Sequence, residues 1–309
     1  LVWSYLAMVG YSRPFRCVSQ ILVVAFTGKL LRSGLCFGVL GSQGAVRLDQ
    51  HMAAAPLSPE ERDAQRRLLE KLTEQGAKAE GWDRAWEQSL TPWDLRGGVN
   101  PAWAALIASG RLPSTAAAAG STADTTDGID GAHASADASR DGTGALPRAL
   151  VPGCGSGSDL KLLASAGYTA VGVDISAKAV EVAEDALAGL PNIEVKCQDF
   201  FQMETDPFDL GYDYTFLCAL NPSMREAWAA AWARLIRPGG ELVTLMFPVT
   251  NKESGPPFAV SPGLYRHLLE PAGFAAVEEG PRKLQDEECA PGRAGAEWIG
   301  RWVRTSAAL

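Results

Sequence analysis

The stretch Val151-Pro-Gly-Cys-Gly-Ser-Gly157 overlaps the end of a short apolar segment (149–152). It precedes a segment of helical pattern that starts near Asp159. Glycines at these positions let the backbone approach a ligand closely, and the first turn of the following helix adds a positive partial charge. The stretch therefore predicts a ligand-binding turn at the carboxyl end of a first β-strand.

Two classes of nucleoside cofactor bind to turns of this type. A dinucleotide site typically has the pattern GxGxxG, whereas Gly153, Gly155 and Gly157 form GxGxG, which suits S-adenosylmethionine (SAM) better. Asp174 and Ile175 follow a second apolar segment, and an acid at that place can accept both ribose hydroxyls of a nucleoside. The alternative is that Asp174 caps the next helix, although Ser176 is the better capping residue.

A third element is Gln198-Asp199-Phe200-Phe201, which follows the third predicted strand. The carboxylate of Asp199 suits an adenine amino group, and the ring of Phe200 suits the face of the base. The alternative is an ordinary exit from a strand into a loop. The turn Pro238-Gly-Gly-Glu241 precedes a later strand, as it commonly does in SAM-dependent methyltransferases. The elements together, in this order, favour a nucleoside cofactor.

Strands and helices alternate in the second half of the chain. This alternation predicts an α/β protein with a doubly wound, seven-stranded, mostly parallel sheet and helices on both faces, a Rossmann-like architecture. The predicted strands are 149–152, 169–173, 193–195, 212–217, 241–248, 278–283 and 298–304, and the predicted helices are 159–166, 177–187, 224–236 and 262–271.

A tryptophan-rich segment precedes this region. Trp82 and Trp86 are four residues apart and share a helix face, and Trp93-Asp94 follows shortly after. Aromatic faces attract a sulfonium by about 0.5–2 kcal/mol, so these side chains suit the charged sulfur of SAM. The alternative is that the tryptophans anchor the segment on the sheet as part of the core.

The motifs together resemble the thiopurine methyltransferase superfamily, and in particular its halide, thiocyanate and thiol methyltransferase branch. The resemblance implies the class I SAM-dependent methyltransferase fold, SAM as cofactor and S-adenosylhomocysteine as product. The segments that carry it are WDRAWE (82–87), TPWD (91–94), LVPGCGSGSDL (150–160), VGVDIS (171–176), QDFF (198–201), YDYTFLCALNP (212–222), RPGGELVTLMFP (237–248) and GPPF (255–258).

The resemblance also implies cofactor-binding residues. In that family, the positions that bind SAM match Trp82, Trp86, Trp93, Gly153, Asp174, Asp199, Phe200 and Tyr214. Two positions depart from the plant members of the family, which commonly have Tyr in place of Phe247 and an acid in place of Asn221. These departures affect the acceptor side of the expected site rather than the fold.

Composition and rare residues exclude several other functions. The chain has 36 acidic and 28 basic residues, so a general attraction to nucleic acid is not expected. Its three histidines and six cysteines form no CxxC pair or histidine-rich cluster, which argues against a metal site and a disulfide framework. We expect a monomer that acts on a small-molecule acceptor, without metal, nucleic-acid or membrane partners.

We place the folded domain at 52–309. Two segments are expected to be unstructured, a leader before this domain and an insertion within it. Residues 1–51 carry five basic residues and one acid, which is typical either of an organelle transit peptide or of sequence upstream of a start at Met52. Residues 114–145 are almost entirely Ala, Ser, Thr, Gly and Asp and predict a disordered insertion. The expected location is cytoplasmic, or an organelle if the leader is a genuine transit peptide.

Methyl transfer from a sulfonium is an in-line displacement, so thiolates, thiocyanate and halides need placement and desolvation rather than a strong base. Arg225 is the candidate cation for such an acceptor, although it could be a solvated helix-start residue; Asp94 and Phe247 are further candidates for the acceptor pocket. An alternative enzyme would methylate an O or N atom of a larger metabolite with Asp94 or Tyr214 as base. A non-catalytic or NAD-binding domain is the third hypothesis.

Overall fold

The computed structural model describes residues 59–73, 79–95, 97–113, 145–252 and 254–305. The predicted leader and all but the last residue of the predicted insertion lie outside these ranges. None of the helices in the described part of the chain combines the length and the apolar composition that a bilayer crossing requires.

The described strands form one mixed sheet in the order β3-β2-β1-β4-β5-β8-β6, with the two-residue strand β7 paired to β8. The first five strands in this order are parallel, and β8 is antiparallel to β5, β6 and β7. The predicted α/β class with a mostly parallel sheet is confirmed. The strands are β1 (Arg148–Pro152), β2 (Thr169–Asp174), β3 (Ile193–Cys197), β4 (Phe208–Tyr214), β5 (Ile236–Met246), β6 (Phe274–Ala276), β7 (Arg282–Lys283) and β8 (Trp298–Arg304).

Seven α-helices accompany these strands in the described ranges. Ser176 caps the helix after β2, since its side chain accepts a hydrogen bond from the Ala179 amide at 3.1 Å, as its position in the sequence predicts. Asn100 and Ser261 cap two other helices in the same way. The helices are α1 (Pro59–Thr73), α2 (Ala79–Glu87), α3 (Pro101–Ala108), α4 (Ser158–Ser165), α5 (Ala177–Leu187), α6 (Arg225–Leu235) and α7 (Pro262–Leu269).

Two predicted strands are misplaced. The strand expected at 212–217 starts at Phe208 and ends at Tyr214, because Thr215 has a positive φ of 59° and a 3-10 turn follows. The strand expected at 278–283 is reduced to β7, and the structure has β6 earlier in the chain. Glu278 also has a positive φ (56°), which extended pairing does not allow.

The core lies on both faces of the sheet, because neighbouring strand residues belong to different apolar clusters. Leu150 packs in a cluster with residues of α6 and α7, whereas Ala149 and Val151 pack with residues of α3, α4 and α5. In the second cluster Trp103 stacks on Tyr212, with ring centroids 4.0 Å apart. Helices therefore cover both faces, and the carboxyl ends of the parallel strands remain as the edge at which loops form a site.

Gly172 is expected to be necessary for the packing of α4 on β2. A Cβ atom at this position would lie 2.5 Å from Leu160 Cδ1 and 2.8 Å from Cys154 Sγ. Gly172→Ala should therefore lower the free energy of unfolding by about 1–3 kcal/mol, the usual cost of overpacking. Gly263→Ala is the matched control, because its Cβ would meet nothing closer than 4.0 Å at the start of α7, and it should be neutral or stabilising by up to about 1 kcal/mol. Urea unfolding measures both, and equal changes in the two variants would contradict the prediction.

Candidate functional site

A main cavity of about 570 Å³ opens at the carboxyl ends of the parallel strands. A smaller side cavity of about 50 Å³ shares part of its wall, namely Trp86, Trp93, Gly153 and Thr215. The sequence-predicted residues that line the main cavity are Trp82, Trp86, Trp93, Gly153, Asp174, Ile175, Asp199, Phe200 and Phe247. Gly155, Tyr214 and Asp94 line the side cavity.

The glycine-rich turn after β1 has positive φ at Gly153 (57°), Gly155 (52°) and Gly157 (79°). A Cβ on Gly153 would lie 2.8 Å from the ring of Phe216, and a Cβ on Gly155 would lie 3.2 Å from the ring of Trp86. Backbone conformation and the close approach of these rings both select glycine. The backbone of this turn therefore forms part of the cavity wall.

Asp174 ends β2 and is buried beneath this turn. One carboxylate oxygen accepts from the Gly155 amide at 3.1 Å, and the other accepts from the Ser176 amide at 3.0 Å. Burial raises the pKa of Asp174, while these hydrogen bonds lower it and so oppose that shift. Ser176 caps α5, as the sequence predicts, so the alternative in which Asp174 caps this helix does not hold. The Asp174 carboxylate instead holds the turn and lines the main cavity.

The three tryptophans of the N-terminal segment form an aromatic wall. Trp93 meets Trp82 edge to face with centroids 5.5 Å apart, and meets Trp86 at 6.3 Å. All three tryptophans are half-buried. Ala85, which lies on α2 between Trp82 and Trp86, is fully buried. Trp82 and Trp93 also pack against the small apolar cluster around Ala85, so the core interpretation holds for part of their surface.

Asp199 and Phe200 lie at the end of β3. The Asp199 carboxylate accepts from the Phe201 amide at 2.9 Å and from the Gln202 side chain at 2.8 Å. Phe200 is buried, with its ring centroid 5.1 Å from that of Trp232. These contacts are typical of a loop that follows a strand. Asp199 and Phe200 also line the main cavity.

Two residues considered for the acceptor pocket lie elsewhere. Arg225 does not line either cavity, because its guanidinium turns away and donates to the Ala259 carbonyl at 2.9 Å. Asn221 is exposed and accepts from the amide and hydroxyl of Ser223. Arg225 is therefore not among the residues that form the wall of either cavity. Phe247 does line the main cavity, and Asp94 in the side cavity accepts from the Ser156 hydroxyl at 3.0 Å.

Arg293 is the cation among the described residues that line the main cavity, and no pattern in the sequence indicates it. Only 7% of this residue is exposed. Its guanidinium carbon lies 4.4 Å from the ring centroid of Phe247 and 5.1 Å from that of Tyr214. The guanidinium donates to the Trp93 carbonyl at 2.9 Å and to the Tyr214 hydroxyl. It lies in an irregular loop before β8, where no periodic pattern indicates which side chain points inward.

Glu297 supports Arg293 and is fully buried. Its carboxylate accepts from the Asn100 side chain at 2.9 Å, from the Ala290 amide at 2.8 Å and from the Tyr214 hydroxyl at 2.6 Å. It also forms an ion pair of 3.7 Å with Arg293. Burial raises the pKa of Tyr214 above its ordinary value, so the phenol stays neutral near pH 7 and acts as a donor.

Two buried cysteines are close to the site. Cys218 lines the main cavity, where burial raises the pKa of its thiol to about 12. Cys154 lies in the glycine-rich turn, and burial also raises its pKa. Both are therefore protonated thiols at neutral pH, which agrees with their interpretation as packing residues rather than nucleophiles. His267 is exposed on α7, as predicted.

Comparison with known proteins places this geometry in a family. The family model described as Thiopurine S-methyltransferase (TPMT) matches residues 139–299. A "Probable thiol methyltransferase 2" of Arabidopsis thaliana is 37% identical over 246 residues, which cover 78% of this chain and 92% of that protein. "Thiocyanate methyltransferase 1" of the same organism is 36% identical, over 77% of this chain and 88% of that protein.

The chain belongs to the thiopurine S-methyltransferase family. Its branch is that of the thiol and thiocyanate methyltransferases, and it is a SAM-dependent methyltransferase. A solved structure described as "Conversion of a Disulfide Bond into a Thioacetal Group during Echinomycin Biosynthesis" has a TM-score of 0.52 at 20% identity and covers 74% of this chain and 94% of that one. This last likeness concerns the fold alone.

Removal of the Glu297 carboxylate should destabilise the methyltransferase strongly. Glu297→Ala leaves three donors and the Arg293 charge without their buried partner, and the expected loss is about 3–5 kcal/mol in the free energy of unfolding. Glu287→Ala is the control from the preceding exposed segment and should change stability by less than about 0.5 kcal/mol. Thermal and urea unfolding measure both variants. A loss below 1 kcal/mol in Glu297→Ala would show that the network is not structural.

Proposed function

We propose that this methyltransferase transfers a methyl group from SAM to a small soft nucleophile, a thiol, thiocyanate or halide, by in-line displacement without a strong general base. The observation that carries the proposal is Arg293, a buried cation in the wall of the main cavity beside Phe247. A cation in this position favours an anionic acceptor. The names of the relatives, thiol and thiocyanate methyltransferases, support the same class.

The side chains on the donor side of the main cavity are suited to SAM. When bound, SAM supplies an electrophilic methyl group on a sulfonium. Asp174 is suited to the ribose hydroxyls, and Asp199 with Phe200 is suited to the adenine. Trp82, Trp86 and Trp93 present aromatic faces that are suited to the positive sulfur. The volume of about 570 Å³ is in the range of pockets that enclose a ligand of this size.

The acceptor side orients and desolvates an anion. Arg293 supplies positive charge, and Phe247 and Pro257 supply apolar wall that excludes water. Thiocyanate, halides and thiolates react once they are placed about 3–3.5 Å from the carbon they attack. A thiol of pKa near 8.5 is already about 3% thiolate at pH 7, and a nearby cation raises that fraction.

The contacts disfavour the alternative, an O- or N-methyltransferase with a general base. Tyr214 donates its hydroxyl hydrogen to Glu297 and accepts from Arg293, and its raised pKa keeps it neutral. Asp94 accepts from Ser156 in the side cavity and does not line the main cavity. Neither residue is placed to take a proton from an acceptor in the main cavity.

The direct test measures release of S-adenosylhomocysteine from SAM with iodide, thiocyanate, hydrosulfide and an aryl thiol as acceptors. We expect turnover with at least thiocyanate or a thiol, without a requirement for a titrating base when the acceptor is a permanent anion. The rate with thiocyanate should therefore vary little between pH 6 and 8. Binding of SAM without turnover of any of the four acceptors would contradict the proposed acceptor class.

Arg293→Met should reduce kcat/KM for thiocyanate by about 10- to 100-fold, because a charged hydrogen-bonding group contributes about 1.5–3 kcal/mol. Arg293→Lys retains the charge and should recover part of the loss, mainly as a lower KM. The control is Arg84→Met, an exposed arginine of α2, which should leave kinetics unchanged. Calorimetric titration with S-adenosylhomocysteine separates the acceptor effect from any effect on the cofactor. An unchanged KM for thiocyanate in Arg293→Met would assign the acceptor to another part of the cavity.

A further inference from the structure

Two backbone segments in the wall of the main cavity are joined to each other. The first is the turn after β4, residues 215–220, which lines the cavity through Thr215, Phe216, Cys218, Ala219 and Leu220. The second is the loop 255–258, which lines it through Pro256 and Pro257. The Phe258 amide donates to the Cys218 carbonyl at 2.7 Å. The position of the first segment therefore also determines the position of the second.

Asp213, the penultimate residue of β4, holds the turn 215–220 from outside both cavities. Its Oδ1 accepts from the Leu217 amide at 3.2 Å, and its Oδ2 accepts from the Trp228 indole of α6 at 2.7 Å. Between these contacts lies Thr215, whose positive φ of 59° is unfavourable for a β-branched residue. The carboxylate thus closes an unfavourable turn and ties it to α6.

The carboxylate can make this connection, and a neutral amide of the same shape cannot. Asp213 is 1% exposed and forms no ion pair with any described residue, so its charge is costly to bury. Burial raises its pKa to about 6, and it is therefore mostly ionised at pH 7.5. An ionised carboxylate accepts at both oxygens, whereas an amide accepts at one end and donates at the other. The charged group is thus suited to two separate N–H donors.

We propose that Asp213 is the positioning residue of the acceptor wall: it fixes the turn 215–220 and, through the Cys218 carbonyl, the loop 255–258. The proposal rests on the proposed function, because it takes Pro257 and the neighbouring wall as the surface against which the acceptor is placed. An acceptor reacts when it is held about 3–3.5 Å from the methyl carbon, so a small displacement of this wall weakens productive binding. Asp174 and Asp199 on the donor side have their own hydrogen bonds and do not depend on Asp213.

The first experiment is steady-state kinetics of the full chain with thiocyanate at pH 7.5 and saturating SAM. In Asp213→Asn, the amide oxygen should keep the shorter bond to Trp228, which turns the amide nitrogen toward the Leu217 N–H and opens the turn. We expect the KM for thiocyanate to rise about tenfold, the effect of one lost buried hydrogen bond. The kcat and the calorimetric affinity for S-adenosylhomocysteine should each change by less than about threefold.

A second substitution should rescue the first. Trp228→Phe removes the indole donor, so in Asp213→Asn/Trp228→Phe the amide oxygen is free to accept from Leu217 and to close the turn. The KM for thiocyanate should then return to within about threefold of that in Trp228→Phe alone. A merely destabilised enzyme behaves differently, because loss of folded protein lowers the apparent kcat rather than raising KM, and a further substitution in the core does not restore it.

The second experiment needs no turnover and follows the turn itself. Cys218 is 3% exposed, and its labelling by a maleimide, measured by mass spectrometry, reports opening of the turn. Labelling should be about fivefold faster in Asp213→Asn and should return toward the wild-type rate in the double variant. Because the double variant also lacks the Asp213 charge, this return separates a change of position from a change in the reactivity of the thiol. Cys154 in the same molecule reports general unfolding and should keep its rate.

Asp206→Asn is the matched control, since it changes an exposed acid shortly before β4 and should alter neither readout. An unchanged KM for thiocyanate in Asp213→Asn overturns the proposal, whatever the labelling shows, because Asp213 would then have a structural role only. If the wild type does not methylate thiocyanate, the proposed function fails for this acceptor and the assignment of the wall to it fails as well. Faster labelling of Cys218 would in that case still confirm that Asp213 holds the turn.

Discussion

The buried carboxylate of Glu297 is the interaction on which the site depends. Glu297 directly precedes β8, the strand antiparallel to β5, and it binds Asn100 at the start of α3 and Tyr214 at the end of β4. Through Arg293 it also reaches the Trp93 carbonyl. The bonded residues in this network are up to 200 residues apart in the chain. One side chain thus joins the tryptophan segment, the parallel sheet and the last loop, and its burial is tolerated because hydrogen bonds satisfy its carboxylate oxygens.

This arrangement divides the proposed reaction between two parts of the fold. The parallel half of the sheet supplies the donor side, because β1, β2 and β3 end in the glycine turn, Asp174 and Asp199. The other side of the sheet supplies the acceptor side, because Phe247 follows β5, the last of the parallel strands, and Arg293 precedes the antiparallel strand β8. In the proposed reaction, Phe247 and Arg293 on this side of the sheet are the residues that contact the acceptor.

The residues predicted for the cofactor line the two cavities, whereas the sequence analysis missed Arg293 and Glu297, for a physical reason. Glycines with positive φ, an acid at a strand end and tryptophans four residues apart are local features, and each is visible within a few neighbouring residues. Arg293 and Glu297 have no local pattern, because their loop has neither helical nor strand periodicity and their partners are distant in the chain. Arg225 lies just beyond Asn221-Pro222 in the sequence, and no local pattern shows that its guanidinium donates to the Ala259 carbonyl.

The charges around the two cavities are ordered in a way that suits a cationic donor and an anionic acceptor. Arg293 faces the main cavity, whereas Asp94 and Asp159 face the side cavity. Tyr214 stands between them: its hydroxyl contacts Arg293 and Glu297, and it also lines the side cavity. Arg293 forms its ion pair with Glu297, and its guanidinium still lines the main cavity beside Phe247. Burial strengthens both fields, since water is excluded where they act.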